Sequence, residues 1–328
     1  MTSRIFRQGA EPDDRRDDTA AARLSGAGCG CPFHARRRLL GGALLAVAGG
    51  WTSPVSAREG VDVGPPSSMS KLVSAEQVER AATEQYSQLL AQAASKKALA
   101  PESHPQVVRL RSIARRIIPH TYEWNPRARE WRWEVNVIGS RAINAFCMPG
   151  GKIAFFIGIL DQLKLTDDEV AMVMGHEMTH ALREHAREQM GKTMATRGAI
   201  EVGAAIFGLG NAGRLGAGMA GQLLTLRFGR EDESEADLVG LELAARAGFD
   251  PHAGVTLWKK MAGANKGGSP EFLSTHPTGP TRIRDIEANI PKVEGLYQRA
   301  VRTAPPVAAP PVATPPRRGH FVEDSPAR

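Results

Sequence analysis

Two histidines four positions apart, with a glutamate directly after the first, are the residues of this sequence best suited to chemistry. They belong to the segment His176-Glu177-Met178-Thr179-His180. On a helix, side chains four positions apart lie on one face, so both imidazoles can bind one metal ion. Glu177 lies one step around the helix, where its carboxylate can accept a proton from a water on the metal. The segment therefore predicts a zinc-dependent hydrolase.

A catalytic zinc ion needs a third protein ligand, and the residues after the pair exclude two common sources. Arg183 and Ala186 stand where a metzincin has its glycine and its third histidine. The inverted His-x-x-Glu-His pattern also fails, because one residue too many separates His180 from Glu184 and His185. We therefore predict that His185 is a structural or surface residue, and that the third ligand lies elsewhere.

An acidic run further along the chain is the natural source of this ligand. Two pairs of acids, each one helical turn apart, fit the requirement: Glu231 with Glu235, and Glu233 with Asp237. In either pair one acid can bind the metal while the other hydrogen-bonds a ligating histidine. The spacing leaves the two pairs tied. Without the histidine pair, the run would be a charged helix start favoured by the helix dipole.

The elements that must position these residues are mostly helical. Apolar residues recur at helical spacing in five segments, at about 74–98, 107–117, 231–247, 251–261 and 279–290. Thr166 and Glu169 fit a capping box, which predicts the start of the helix that carries the histidine pair. We expect this helix to continue past Met190, towards a Gly/Ala-rich stretch at 198–221.

A different pattern, at 131–156, predicts the sheet. Apolar and polar residues alternate there in short runs, and Pro149-Gly150-Gly151 marks a turn between the last two. The predicted fold class is therefore α+β and mostly helical: a zincin-like (gluzincin) catalytic domain with a small antiparallel sheet and an active-site helix.

The N-terminal segment predicts export. Residues 1–57 hold eight Arg against five Asp or Glu, with three consecutive arginines at 36–38 before an apolar stretch, and a small-x-small sequence at 55–57. This pattern is typical of a cleaved, twin-arginine-like signal peptide and predicts a periplasmic location. Sec export is one alternative. Another is an uncleaved membrane anchor, although the apolar stretch is shorter than the roughly 20 residues that span a bilayer.

The remaining segments complete the predicted domain organisation. Residues 58–73 are rich in Gly, Pro and Ser and predict a linker. Residues 74–303 form the predicted zinc metallopeptidase domain. Residues 304–328 are rich in Pro and Ala, cannot bury a core and predict a disordered tail.

The charge of the chain does not indicate a nucleic-acid partner. The formal net charge is +7, but the segment before residue 58 supplies +3 of it, since eight Arg oppose five acids there. No run of five Lys or Arg occurs, and aromatic residues make up 5% of the chain. The sequence therefore shows neither a run of basic residues that could follow a phosphate backbone nor enough aromatic residues for bases to stack on. We predict no nucleic-acid binding.

Four segments resemble the CAAX prenyl-protease-type zinc metallopeptidases, a family with HtpX-like, Oma-like, BepA-like and LoiP-like members. They occur in the family's order over about residues 75–292: Asn144-Ala145-Phe146 with Pro149-Gly150-Gly151, the segment from His176 to His180, Glu233-x-x-Ala236-Asp237, and Ser274-Thr275-His276-Pro277 followed by Arg282. The lack of several membrane helices and of a helical-repeat domain makes the compact LoiP-like periplasmic members most similar in layout.

The resemblance implies a role for individual residues. It places the third zinc ligand on Glu233 and the outer partner of a ligating histidine on Asp237. His276 corresponds to a loop histidine that in this family can approach the metal. There the histidine either stabilises the oxyanion or blocks the site. For His276, a Pro-flanked turn residue is the simpler alternative. Asn144 and Ala145 correspond to the strand edge that pairs with an extended substrate backbone.

The resemblance also implies an activity. We expect an endopeptidase with one Zn²⁺ per chain that cleaves unfolded or misfolded cell-envelope polypeptides, as part of envelope protein quality control. The alternative is an envelope chaperone or assembly factor with a latent or weak protease site. A third class, a structural metal-binding module, would need a closed four-ligand site. The Gly/Ala-rich stretch is the candidate for peripheral membrane contact, and the sequence does not predict an oligomeric state.

Overall fold

The computed structural model describes residues 58–206, 223, 226–264, 271–276 and 281–303. The predicted signal peptide and the predicted tail lie outside these residues, as does most of the Gly/Ala-rich stretch. Within the described part of the chain, no helix combines the length and the apolar character that a membrane crossing requires.

The described elements are mostly helical, which confirms the predicted fold class. The helices are α1 (Ala75–Ser95), α2 (Pro105–Ile117), α3 (Ile157–Leu163), α4 (Asp167–Leu182), α5 (His185–Ile206), α6 (Arg230–Arg246), α7 (Ala253–Ala264), α8 (Glu271–Thr275) and α9 (Arg282–Thr303). The strands are β1 (Glu134–Ile138), β2 (Ala145–Met148) and β3 (Lys152–Phe156). The five segments with helical periodicity correspond to α1, α2, α6, α7 and α9.

The sequence pattern predicted an antiparallel sheet, but the sheet is mixed. Its strand order is β1-β3-β2, with β1 parallel and β2 antiparallel to β3. Apolar alternation indicates which strand face is buried but not the direction of the neighbouring strand, so the pattern could not reveal the parallel pair. The predicted turn joins β2 to β3, where Gly150 and Gly151 adopt φ angles of 84° and 76°. This order leaves β2 at an edge of the sheet.

Helix α4 begins with the predicted capping box. The Thr166 hydroxyl accepts a hydrogen bond from the Glu169 amide at 3.2 Å, and the Glu169 carboxylate accepts one from the Thr166 amide at 2.9 Å. Both bonds satisfy amide groups that a helix start otherwise leaves free. Most of α4 is buried, because the sheet, α2, α6 and α7 pack around it.

The prediction that this helix continues past Met190 is wrong. Helix α4 ends at Leu182, and α5 starts in a new direction at His185. Glu184 adopts a left-handed conformation with φ of 61°, which a continuous α-helix does not contain. The Asn125 side chain donates to the Leu182 carbonyl at 3.0 Å and so satisfies one of the free carbonyls at the helix end.

Helices α4 and α6 meet through their backbones at two glycines. A Cβ atom on Gly240 would lie 2.6 Å from the His176 amide nitrogen, and one on Gly175 would lie 2.6 Å from the Gly240 carbonyl oxygen. Neither position has space for a larger residue. This close approach brings the histidine face of α4 to the acidic face of α6.

The segment 58–73 packs on the domain, although its composition predicts a linker. Val61 is buried in the hydrophobic core, and its amide donates to the Glu242 carboxylate at 2.8 Å. Arg58 also donates to Glu242, at 2.5 and 3.2 Å. A few contacts therefore order a stretch whose Gly, Pro and Ser content gives no periodic signal.

Candidate active site

Four buried side chains converge where α4, α6 and α8 meet. They are His176 and His180 on α4, Glu233 on α6, and His276 directly after α8, and one donor atom from each lies within 4.8 Å of all the others. His176 Nε2 is 3.2 Å from His180 Nε2 and 3.4 Å from His276 Nδ1. Glu233 Oε1 is 2.9 Å from His276 Nδ1. The structure thus brings the three predicted metal ligands together and adds His276.

The chemistry and spacing of these donors fit a zinc ion. Zinc binds imidazole nitrogen and carboxylate oxygen at about 2.0–2.2 Å in a tetrahedron, so its ligand atoms lie about 3.4 Å apart. The separations from His176 Nε2 to its neighbours, including Glu233 Oε2, are 3.2 to 3.6 Å. Two imidazoles with one glutamate are also a ligand set of catalytic zinc sites.

Glu177 faces this cluster with a carboxylate oxygen that lacks a hydrogen-bond donor. The residue is 2% exposed, and among the described residues its Oε1 atom has no hydrogen-bond partner. His276 Nε2 lies 3.6 Å from that oxygen. Burial raises the pKa of Glu177 above its ordinary value. A buried, unsatisfied carboxylate costs free energy, and its position beside the donor cluster suits a group that accepts a proton.

His176 has a carboxylate as its outer partner. Its Nδ1 atom is 3.1 Å from Asp237 Oδ1, and Arg282 donates to both oxygens of Asp237 at 2.6 and 2.7 Å. Burial alone would raise the pKa of Asp237, but Arg282 and His176 lower it to about 2. The ionised Asp237 therefore accepts a hydrogen bond from the Nδ1–H of His176, and Nε2 presents its lone pair to the cluster.

The structure resolves the two acid pairs that the sequence left tied. Glu233 lies in the cluster, and Arg282 donates to its Oε2 atom at 2.8 Å. Burial alone would raise the pKa of Glu233, but the hydrogen bond from His276 holds it below its ordinary value. Glu231 is exposed, and Glu235 contacts Arg183 rather than the cluster. Glu233 and Asp237 therefore lie close to His176, and the roles that the family resemblance implied for them stay predictions.

His276 is part of the cluster rather than a turn residue that faces away. Its backbone amide donates to the Phe272 carbonyl at 2.8 Å, and its ring stacks on the Phe272 ring with centroids 4.5 Å apart. Its imidazole lies between Glu233 and Glu177. Burial alone would lower the pKa of His276, but Glu177 and Glu233 raise it. The imidazole of His276 therefore lies close to both Glu233, a predicted metal ligand, and Glu177, the predicted base.

A cleft of about 300 Å³ connects the cluster to the edge strand β2. Asn144 and Ala145 line it together with Glu177, His180 and His276. The remaining walls are mostly apolar: Leu89, Phe146, Met148, Ala181, Leu226 and Phe228. The predicted substrate-binding residues thus lie beside the predicted catalytic residues.

His185, predicted to be structural or to lie on the surface, is buried and contacts His180, a predicted metal ligand. Its Nδ1 atom is 2.8 Å from His180 Nδ1, and its Nε2 atom is 3.2 Å from Glu235 Oε2. Burial lowers the pKa of His185 to about 3. The residue spacing did not indicate this contact, because residues five apart on a continuous helix point in different directions.

Residues 107–290 match the profile described as peptidase family M48. Among the relatives, the mitochondrial metalloendopeptidase OMA1 of Schizosaccharomyces pombe is 36% identical over 196 residues, which cover 59% of this chain and 56% of that protein. The metalloprotease LoiP of Escherichia coli is 31% identical over 151 residues, covering 45% and 58%. A putative beta-barrel assembly-enhancing protease of Vibrio cholerae is 32% identical over 160 residues, covering 45% and 33%.

These comparisons confirm the predicted metallopeptidase family and correct the predicted location. The matched region spans 56%, 60% and 34% of the OMA1 proteins of fission yeast, budding yeast and Arabidopsis thaliana. All three relatives are named as mitochondrial proteins. The prediction of a periplasmic location is therefore wrong. An arginine-rich leader does not decide the compartment, because mitochondrial transit peptides are arginine-rich as well.

Proposed function

Because this chain belongs to peptidase family M48, we propose that it is a zinc-dependent endopeptidase that hydrolyses peptide bonds in unfolded or damaged polypeptides. In this proposal His176, His180 and Glu233 bind one zinc ion per chain, and Glu177 is the general base. The observation that carries it is the buried, unpartnered carboxylate oxygen of Glu177 beside donor atoms spaced for a tetrahedral metal.

The chain's own groups supply the proton transfers and the positioning. A bound zinc ion would supply a Lewis acid that acidifies water and polarises the carbonyl of the bond to be cleaved. Glu177 accepts the proton of the attacking water at Oε1 and later returns it to the leaving amine. Its raised pKa suits this exchange, because a more basic carboxylate is a better proton acceptor.

The edge strand supports an extended polypeptide as substrate. Among the described residues, strand β2 pairs only with β3, and Asn144 and Ala145 at its start line the cleft beside Glu177. A substrate strand can add to such an edge through main-chain hydrogen bonds, which give affinity with little sequence selectivity. Only an unfolded segment can present its backbone in this way.

A second candidate is a chaperone or assembly factor with a latent or weak protease site. The position of His276 favours it, since its Nδ1 atom lies 3.4 Å from His176 Nε2, within the spacing of a fourth zinc ligand. A zinc ion with four protein ligands has no open position for substrate. The cleft could then hold polypeptide without cleaving it.

Zinc content and casein hydrolysis separate these candidates. The purified protein should contain about one zinc per chain and degrade unfolded casein, and a chelator should abolish that activity. Zinc-loaded protein that binds but does not cleave casein would support the second candidate. A protein without zinc would contradict the metal site itself.

A further inference from the structure

The two histidine ligands are supported in different ways. His176 has a direct carboxylate partner, because its Nδ1 atom contacts Asp237. His180 instead contacts another imidazole, that of His185, at 2.8 Å. His185 in turn contacts the Glu235 carboxylate at 3.2 Å. We call this chain of contacts, from His180 through His185 to Glu235, the relay.

The relay depends on the break between α4 and α5. On a continuous helix, residues five apart point about 140° away from each other, so His180 and His185 could not meet. The left-handed conformation of Glu184 ends α4 and turns His185 back towards His180. Glu184 then forms an ion pair with Arg187 in the first turn of α5. The break therefore brings together two imidazoles that the sequence spacing would separate.

The hydrogen bonds of the relay fix where its protons lie. The Glu235 carboxylate only accepts, and it accepts from His185 Nε2 and from Arg183 Nε. With its proton on Nε2, the neutral His185 ring presents a bare Nδ1 atom, which accepts a hydrogen bond from the Nδ1–H of His180. The Nε2 atom of His180 then carries a lone pair, and this atom faces His176 Nε2 in the donor cluster.

The surroundings of the relay hold it in this arrangement. His185 is 1% exposed, and Arg183 is anchored by a hydrogen bond from Nη2 to the Gly64 carbonyl at 2.8 Å. The ring of Phe228 stacks on the His180 ring, with centroids 4.0 Å apart and planes at 21°. Water therefore has little access to replace either imidazole contact.

We propose that His185, held by Glu235, is a positioning residue that orients His180 and fixes its metal-binding tautomer. The inference rests on the proposed function, because it assumes that His180 binds zinc. Outer partners of metal-bound histidines commonly contribute about 10-fold to 100-fold in metal affinity. His185 makes this contribution for His180 as Asp237 does for His176.

Zinc affinity, measured by competition with a chromogenic chelator, tests the proposal without any activity assay. His185→Phe keeps a ring of similar size but neither accepts nor donates, and it should weaken zinc binding by roughly 10-fold to 100-fold. His185→Gln should bind within a few-fold of the unaltered protein, because its amide can accept from His180 and donate to Glu235. The control is Glu231→Gln, which changes an exposed acid on α6, the helix that also carries Glu235. This variant should not change the zinc affinity.

A second measurement needs no variant and therefore does not depend on how His185→Phe folds. Long-range ¹H–¹⁵N spectra of the zinc-loaded protein distinguish the two neutral histidine tautomers. His185 should carry its proton on Nε2. A proton on Nδ1 would overturn the proposal, as would a folded His185→Phe variant with unchanged zinc affinity. If the unaltered protein binds no zinc, the proposed function fails and this inference fails with it.

Discussion

The proposed zinc ligands lie on two long helices, α4 and α6, whereas His276 follows the five-residue helix α8. The first two are long and buried, and they meet backbone to backbone at Gly175 and Gly240. Helix α8 has five residues and is anchored mainly through Phe272, whose amide donates to the Ile143 carbonyl at 3.0 Å. The comparison separates a part of the site built on two long, buried helices from a part that follows one short helix.

The two regions should therefore respond to substitution with opposite signs. Changes on α4 or α6 remove a ligand, a base or the packing that aligns them, so each should reduce function. If His276 competes with substrate for one position at the metal, a change at His276 should increase activity. The experiments below test this contrast, beginning with the largest expected effect.

Glu177→Gln should abolish peptide hydrolysis and leave zinc binding intact. The amide cannot accept a proton, and the three zinc ligands are unchanged, so the rate should fall by about 10²-fold to 10⁴-fold. Casein hydrolysis and metal analysis of the same preparation measure the two quantities. Turnover near that of the unaltered protein would remove Glu177 from the proposed mechanism.

Glu233→Gln should weaken zinc binding far more than Glu235→Gln. Glu233 lies in the donor cluster, so its loss should exceed the roughly 100-fold effect typical of outer partners. Glu235 acts through His185, and the amide oxygen of Gln can still accept from that ring, so the loss should stay below about 10-fold. The reverse order in chelator competition would mean that the assigned register of α6 is wrong.

Gly240→Ala should lower both the stability and the zinc affinity of the protein. The added methyl group would meet the His176 amide at 2.6 Å and force α4 and α6 apart, at a cost of about 1–3 kcal/mol in the free energy of unfolding. Gly263→Ala in α7 is the matched control, since its Cβ has no heavy atom within 4 Å. Urea unfolding of both variants measures the difference. Equal stabilities would show that the close helix contact does not constrain the site.

The parts of the site that the sequence revealed are those that follow from local spacing. The histidine pair lies on one face of α4 because four residues make slightly more than one turn, and the capping box locates the start of that helix. The residue spacing reduced the candidates for the third ligand and its partner to two pairs of acids. The family resemblance then favoured the pair Glu233 and Asp237. The assigned roles of all these residues stay predictions until the variants are measured.

The parts that the sequence did not reveal depend on contacts between distant segments. The relay requires a left-handed residue at Glu184, which no glycine or proline marks in the sequence. The parallel pairing of β1 with β3 leaves no trace in the apolar alternation. Val61 and Arg58 order the supposed linker through one acid of α6, Glu242. In each case tertiary contacts override a local pattern.

His276→Ala should raise casein hydrolysis if the histidine competes with substrate at the metal. Its Nδ1 atom lies 3.4 Å from His176 Nε2, where a fourth ligand would stand, and its removal should open that position. If the closed state holds about nine molecules in ten, the gain should be roughly tenfold. His252→Ala is the control, because that side chain is 64% exposed and far less constrained.

An oxyanion-stabilising role for His276 predicts the opposite sign. A donor that stabilises the developing negative charge contributes about 10²-fold to 10³-fold, so His276→Ala would then lose activity by that factor. Zinc content decides how either result is interpreted, because loss of a fourth ligand could also release the metal. A large loss of turnover at unchanged zinc content would contradict the switch and make His276 a catalytic residue. We favour the switch, because in this structure His276 already stands among the ligands and beside Glu177, where it restricts access to both.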